Sequence, residues 1–78
     1  MPIDRELLGS VLRQERERRQ LSQEALAALS GLSRTHVGEI ERGLVDLSLS
    51  SLVAIADGLG MSAVEILNCY ERRLAEGS

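Results

Sequence analysis

Residues 22–42, SQEALAALSGLSRTHVGEIER, decide the fold. They read as two short helices with a tight turn between them. Ser22 is a strong N-cap, because its hydroxyl can accept from an otherwise unpaired amide of the first turn. Leu26 and Leu29 recur at helical spacing, and Ala27 is small enough for a neighbouring helix to come close. Gly31 breaks the pattern and can adopt the positive φ that ends a helix without steric cost. Ser33 starts a second helix at once, with Val37 and Ile40 as its buried pair. Gly43 ends it. The outward face is then expected to carry Arg34, Thr35, His36, Gly38, Glu39 and Arg42, most of which can bond to a base edge or a phosphate. Two helices joined by a short glycine turn form the unit whose second helix enters a DNA major groove. By spacing alone an ordinary αα-hairpin with a solvated face fits as well.

Seventy-eight residues allow one small domain, spanning 1–78, with a core marginal enough that dimerisation would help. The single aromatic, Tyr70, argues against single-strand binders and base-stacking platforms, which need exposed rings. The net charge of −3, with arginine as the only strong cation, argues against a non-specific polyanion binder. A specific binder with its arginines on one face remains compatible: six of nine lie between Arg13 and Arg42. Cys69 is alone, and His36 has no neighbouring ligand residues, so no metal site is expected. No nucleophile–base signature or phosphate loop supports catalysis or a cofactor. No secretory signal or membrane-spanning run is visible, so a cytoplasmic location is expected.

One pattern recurs along the chain. An apolar residue precedes a Ser or Asp, and a second apolar residue follows five positions after the first: Ile3-Asp4 with Leu8, Leu21-Ser22 with Leu26, Leu32-Ser33 with Val37, Leu47-Ser48 with Leu52, and Met61-Ser62 with Ile66. Each is an N-cap inside a hydrophobic staple, and Ser62 with Glu65 completes a capping box. The five starts predict helices near 4–19, 22–29, 33–41, 49–58 and 62–76. The first buries Leu8 and Leu12 with Val11 partly covered; its second half is charged all round, and Glu15→Arg19 is an i,i+4 pair worth about 0.3 kcal/mol. The fourth, with Leu52, Val53, Ile55, Ala56 and Leu59, is expected to be buried on most of its surface. On the fifth, Ile66, Leu67 and Tyr70 complete the core. Met61, Val64, Cys69 and Leu74 would face outward as an apolar strip suited to a partner.

These residues together resemble the Cro/C1-type (lambda-repressor-like) helix-turn-helix DNA-binding domains, in particular compact forms such as restriction–modification controller proteins. The matching segments are Arg16, LSQEALA at 21–27, Gly31, SRTHVGEIERG at 33–43, SLSSL at 48–52 and ADGLGMSAVEIL at 56–67, covering about residues 5–68. The resemblance implies an all-α five-helix bundle, usually a homodimer on palindromic double-stranded DNA. It implies that Gln23 touches the sugar-phosphate backbone or an outer base. It also implies that Arg34, Thr35 and His36 divide between phosphates and bases, and that Gly38 and Glu39 face base edges. It makes Arg16 and Glu41 an internal ion pair, a device of orientation more than of net stability. Helix 5 and the tail, 62–78, would dimerise through Met61, Val64, Leu67 and Cys69.

The chain departs from the pattern after helix 3. Leu44-Val45-Asp46 stands where basic or amide side chains often meet phosphate, and Asp46 repels it. Glu39 could accept from cytosine N4 at a desolvation cost. The ionic contribution then falls to Arg34, Arg42 and helix-1 arginines such as Arg13 and Arg19. Two functions follow: a sequence-specific duplex-DNA regulator, with RNA polymerase or a cognate toxin as further partners, or a protein-interaction module or antitoxin-like protein of the same fold with weak or no DNA binding. His36 reads as a neutral hydrogen-bonding side chain, and Cys69 as a small apolar one.

Overall fold

The structure, a computed structural model, describes residues 2–77. Five helices follow one another: α1 (Arg5–Arg18), α2 (Gln23–Ser30), α3 (Arg34–Glu41), α4 (Leu49–Leu59) and α5 (Ala63–Glu76). The expected starts are all present. Asp4, Ser22, Ser33, Ser48 and Ser62 sit in extended backbone, and each side chain accepts from the amide three residues on. Ser62 and Glu65 close their capping box in both directions. The inner half of every staple, Leu8, Leu26, Val37, Leu52 and Ile66, is buried. Capping therefore also aims each helix, because the residue four positions after the cap is the one that enters the core.

The core joins Leu8, Val11 and Leu12 of α1 to Leu26, Val37, Ile40, Leu52, Ile55, Leu59, Ile66 and Tyr70. α2 packs on α3 and α4, while α1 bridges α3 and α5. The meeting of α1 with α3 is backbone on backbone: a Cβ at Gly9 would lie 2.4 Å from Ile40 O and 2.6 Å from Glu41 O. At the end of α3, a Cβ on Gly43 would lie 2.8 Å from Glu6 Cα. Glycine at both places lets the first turns of α1 rest against the last turn of α3. Tyr70 Oη accepts from the Asp4 amide at 2.9 Å, and Arg73 donates to Gln14 Oε1 and Ser10 Oγ, so α5 is laced to α1 along its length.

Several apolar positions sit differently from expectation. Val11 is fully buried, not partly covered. α4 is not enclosed on most of its surface: the stripe Leu52–Ile55–Ala56–Leu59 faces inward, while Leu49 and Val53 lie one turn apart outside it, 74% and 45% exposed. Leu29 is 59% exposed, although its Cβ lies near α4 at Gly58. Glu15, expected on a charged surface, is buried. Arg19 folds over it, donating to Glu15 Oε1 at 2.8 Å and to Leu59 O at 2.6 Å. The Arg19 guanidinium thereby satisfies a carbonyl in the last turn of α4, where the helix dipole favours a cation.

Candidate nucleic-acid interface

α2 ends on Gly31, whose φ of 72° lets Leu32 N–H reach back to Ala27 O at 3.0 Å. Ser33 then caps α3 by accepting from His36 N–H. Only three residues separate the two helices, so the turn sets their relative direction with little freedom. Val37 and Ile40 anchor the inner side of α3. Arg34, Thr35 and Arg42 are exposed on the outer side, with His36 and Glu39 half-exposed beside them.

Gly38 is not on that outer side. It is buried, and a Cβ there would lie 3.7–3.8 Å from the Gln23 amide. Gln23 lies over it and is itself half-buried, with Nε2 donating to Glu41 Oε1 at 3.0 Å. The physical reason is the Arg16–Glu41 pair beneath. Arg16 Nε and Nη2 donate to the two Glu41 oxygens at 2.7 and 3.0 Å, and Nη1 donates to Leu21 O. The side chains are only 11% and 3% exposed, so the remaining acceptor capacity of Glu41 needs a donor from inside, and Gln23 supplies it. Donation to the Glu41 carboxylate holds the Arg16 pKa above its ordinary value, against the opposing effect of burial. α1, α2 and the end of α3 are thus tied at one bidentate, charge-assisted node.

The outward carboxylates each stand near a nitrogen-bearing side chain. Arg34 Nε lies 3.7 Å from Glu24 Oε1 across the α2–α3 gap. His36 Nδ1 lies 3.9 Å from Glu39 Oε1. Asp46 faces Arg5 at 3.6 Å. Among the described residues Arg42 has no carboxylate this close. The helix-1 arginines are otherwise engaged, Arg13 with Glu17 and Arg19 with Glu15 and Leu59. The family resemblance pointed to Gln23 but not to its inward turn, and it gave no sign of Glu24 as the partner of Arg34.

A capped hairpin of this geometry, buttressed by a helix on either side and carrying a polar outer face on its second helix, is a helix-turn-helix. The chain belongs to the Cro/C1-type helix-turn-helix family of DNA-binding transcription regulators, whose model matches residues 12–66. It is similar to the control protein C.SmaI of Serratia marcescens, 40% identical over 63 residues that cover 81% of this chain and 75% of that protein. Among solved structures it is similar to the restriction–modification controller protein C.AhdI from Aeromonas hydrophila. That match has 41% identity and a TM-score of 0.79 over 81% of this chain and 96% of that one. The wild-type controller protein C.Esp1396I matches at 28% identity with a TM-score of 0.87, covering 97% and 99% of the two chains. Among the described residues no single helix is long and apolar enough to cross a membrane.

Proposed function

We propose that this chain is a transcriptional controller that binds a palindromic duplex operator as a homodimer, each α3 entering the major groove of one half-site. The observation that carries this is the outer face of α3, with Arg34, Thr35 and Arg42 exposed on a helix whose other side is fixed by the core and the Arg16–Glu41–Gln23 node. A helix held this firmly presents its side chains in one orientation, as base-edge recognition requires. Arg34, Thr35, His36 and Glu39 address bases and nearby phosphates, and Arg42 addresses the phosphate backbone. Gln23 covers the buried Gly38 and, through its bond to Glu41, steadies the α2–α3 arrangement, so Gly38 makes no base contact of its own. The names of the relatives support a role in controlling a restriction–modification locus, a role that would be exercised in the cytoplasm, on the nucleoid. RNA polymerase or a toxin are the further partners such a regulator would meet.

Dimerisation is assigned to α5 and the α4–α5 corner. At 100° per residue, Leu67 and Cys69 lie on nearly opposite sides of α5. Cys69 and Met61 share an open hollow with Glu15 and Arg18 of α1, whereas Val64 is 65% exposed on the other flank. The flank with Val64, Leu67 and Leu74 is the better dimer surface, since Val64 and Leu74 are its exposed apolar side chains, 65% and 37% open.

Selection of bound duplexes from a random pool at near-physiological salt tests the function. A palindrome with half-sites about 34 Å apart is the expected result. Arg34→Ala should then weaken binding to it by about 1–3 kcal/mol. Recovery of no motif, with binding abolished by modest added salt, would favour the protein-interaction module that the paired acids Glu24, Glu39 and Asp46 also suit.

A further inference from the structure

Arg34 opens α3, and the carboxylate nearest to it belongs to another helix, Glu24 on the first turn of α2. Both side chains are open to solvent, 63% and 79% exposed, so the pair adds little to the stability of the fold. Its effect lies in where it leaves the guanidinium. The carboxylate stands beside Nε at 3.7 Å, and among the described residues no side chain accepts a hydrogen bond from the two terminal nitrogens. Two parallel N–H groups of this kind are what bridge O6 and N7 of a guanine. Arg42, at the other end of α3, has no carboxylate of this sort among the described residues, so one arginine of the face stands beside a carboxylate and the other does not.

We propose that Glu24 is a positioning residue that determines specificity, holding Arg34 to present its terminal nitrogens to a guanine and disfavouring its transfer to phosphate. The assignment rests on the DNA-binding reading of α3. Two physical effects act together. A side chain already held in one orientation loses less rotamer freedom when it binds. A carboxylate abandoned by its arginine stands unpaired beside the DNA backbone, where it repels phosphate. Glu24 therefore helps the duplex that offers a guanine in place and opposes every duplex that offers only charge. For a chain of net charge −3 with few free cations, that difference separates an operator from bulk DNA without high overall affinity.

The test compares wild type, Glu24→Gln and Glu17→Gln. The last removes a carboxylate from another exposed arginine pair, Arg13–Glu17, with the same change in net charge. Each protein is used for duplex selection. Affinities are then measured at one salt concentration for the selected duplex and for an unrelated one. The expected result for Glu24→Gln is a specificity ratio lower by roughly 3–10-fold. It comes from tighter binding to unrelated DNA without a gain on the selected duplex, and guanine preference fades at one position per half-site. Glu17→Gln should keep the wild-type ratio. A Glu24→Gln protein that binds both duplexes more tightly by the same factor, or that keeps the guanine preference intact, would overturn the proposal and leave the DNA reading standing. A wild-type protein with no preferred duplex would remove both.

Discussion

Replacing Gly9 by alanine is the most informative single change to the fold. On an isolated helix it would stabilise by about 1 kcal/mol, because alanine is the better helix former. Here the new Cβ would meet two carbonyl oxygens and a carbonyl carbon of Ile40 and Glu41, all between 2.4 and 2.8 Å away. These are backbone atoms near the end of α3 and cannot swing aside like the tip of a side chain. α1 must therefore move off α3 by more than half an ångström, which loosens the packing of Leu8 and Leu12 and stretches the Arg16–Glu41 node. Overpacking against rigid neighbours costs about 3 kcal/mol, which leaves a net loss of about 2 kcal/mol once helix propensity is credited. Urea denaturation followed by far-UV circular dichroism, at one fixed protein concentration, reads this directly. With a slope of about 1 kcal/mol per molar urea, the midpoint should fall by about 2 M. A Gly9→Ala protein as stable as wild type, or more stable, would refute the claim that α1 and α3 meet backbone to backbone.

Glu41→Ala should destabilise by about 3–5 kcal/mol, because it strands a buried guanidinium, whereas the double variant Arg16→Met/Glu41→Leu should lose far less; a double-mutant cycle in denaturant measures the coupling. Because the folded-state pKa of Arg16 is raised, the node's contribution is complete below the ordinary arginine value and lost only as pH rises through the folded one. Its contribution should thus be flat across the neutral range in a pH series of the wild type and Arg16→Met. Tyr70→Phe removes the acceptor for the Asp4 amide and should cost about 1 kcal/mol by the same denaturation assay, with little effect on DNA affinity. Val64→Glu should shift sedimentation toward monomer at a given concentration while Cys69→Ser does not, since the two lie on different flanks of α5.

What could be read from the sequence was what is local. Each helix start is written in a few adjacent residues, a capping Ser or Asp between two apolar positions, and all five hold. The turn at Gly31 is equally local. What depends on a second helix was less legible. Leu29, Leu49 and Val53 have helical spacing, but how wide a stripe each helix buries depends on the angle of its neighbours. Gly9 carries no pattern at all, since a lone glycine within a helix is silent until another backbone is seen against it. The inward turn of Gln23 over Gly38 goes with the remaining acceptor capacity of Glu41 Oε1, a carboxylate held in place by the distant Arg16. Of the candidate interface, the types of residue were visible beforehand, and their pairing was not.

The contact of α1 with the end of α3 has a consequence for how such a protein can acquire a new target. No side chain acts as a spacer between the two backbones at Gly9, so the pitch of α3 cannot be retuned by exchanging one apolar residue for a larger one. On the DNA-binding reading proposed above, changes of preference are made in the outer residues, by rewriting Arg34, Thr35 or Glu39 while the helix stays put. That division makes the outer row transplantable. Carried onto another chain with the same glycine at the crossing, it should keep its alignment and take its choice of sequence with it.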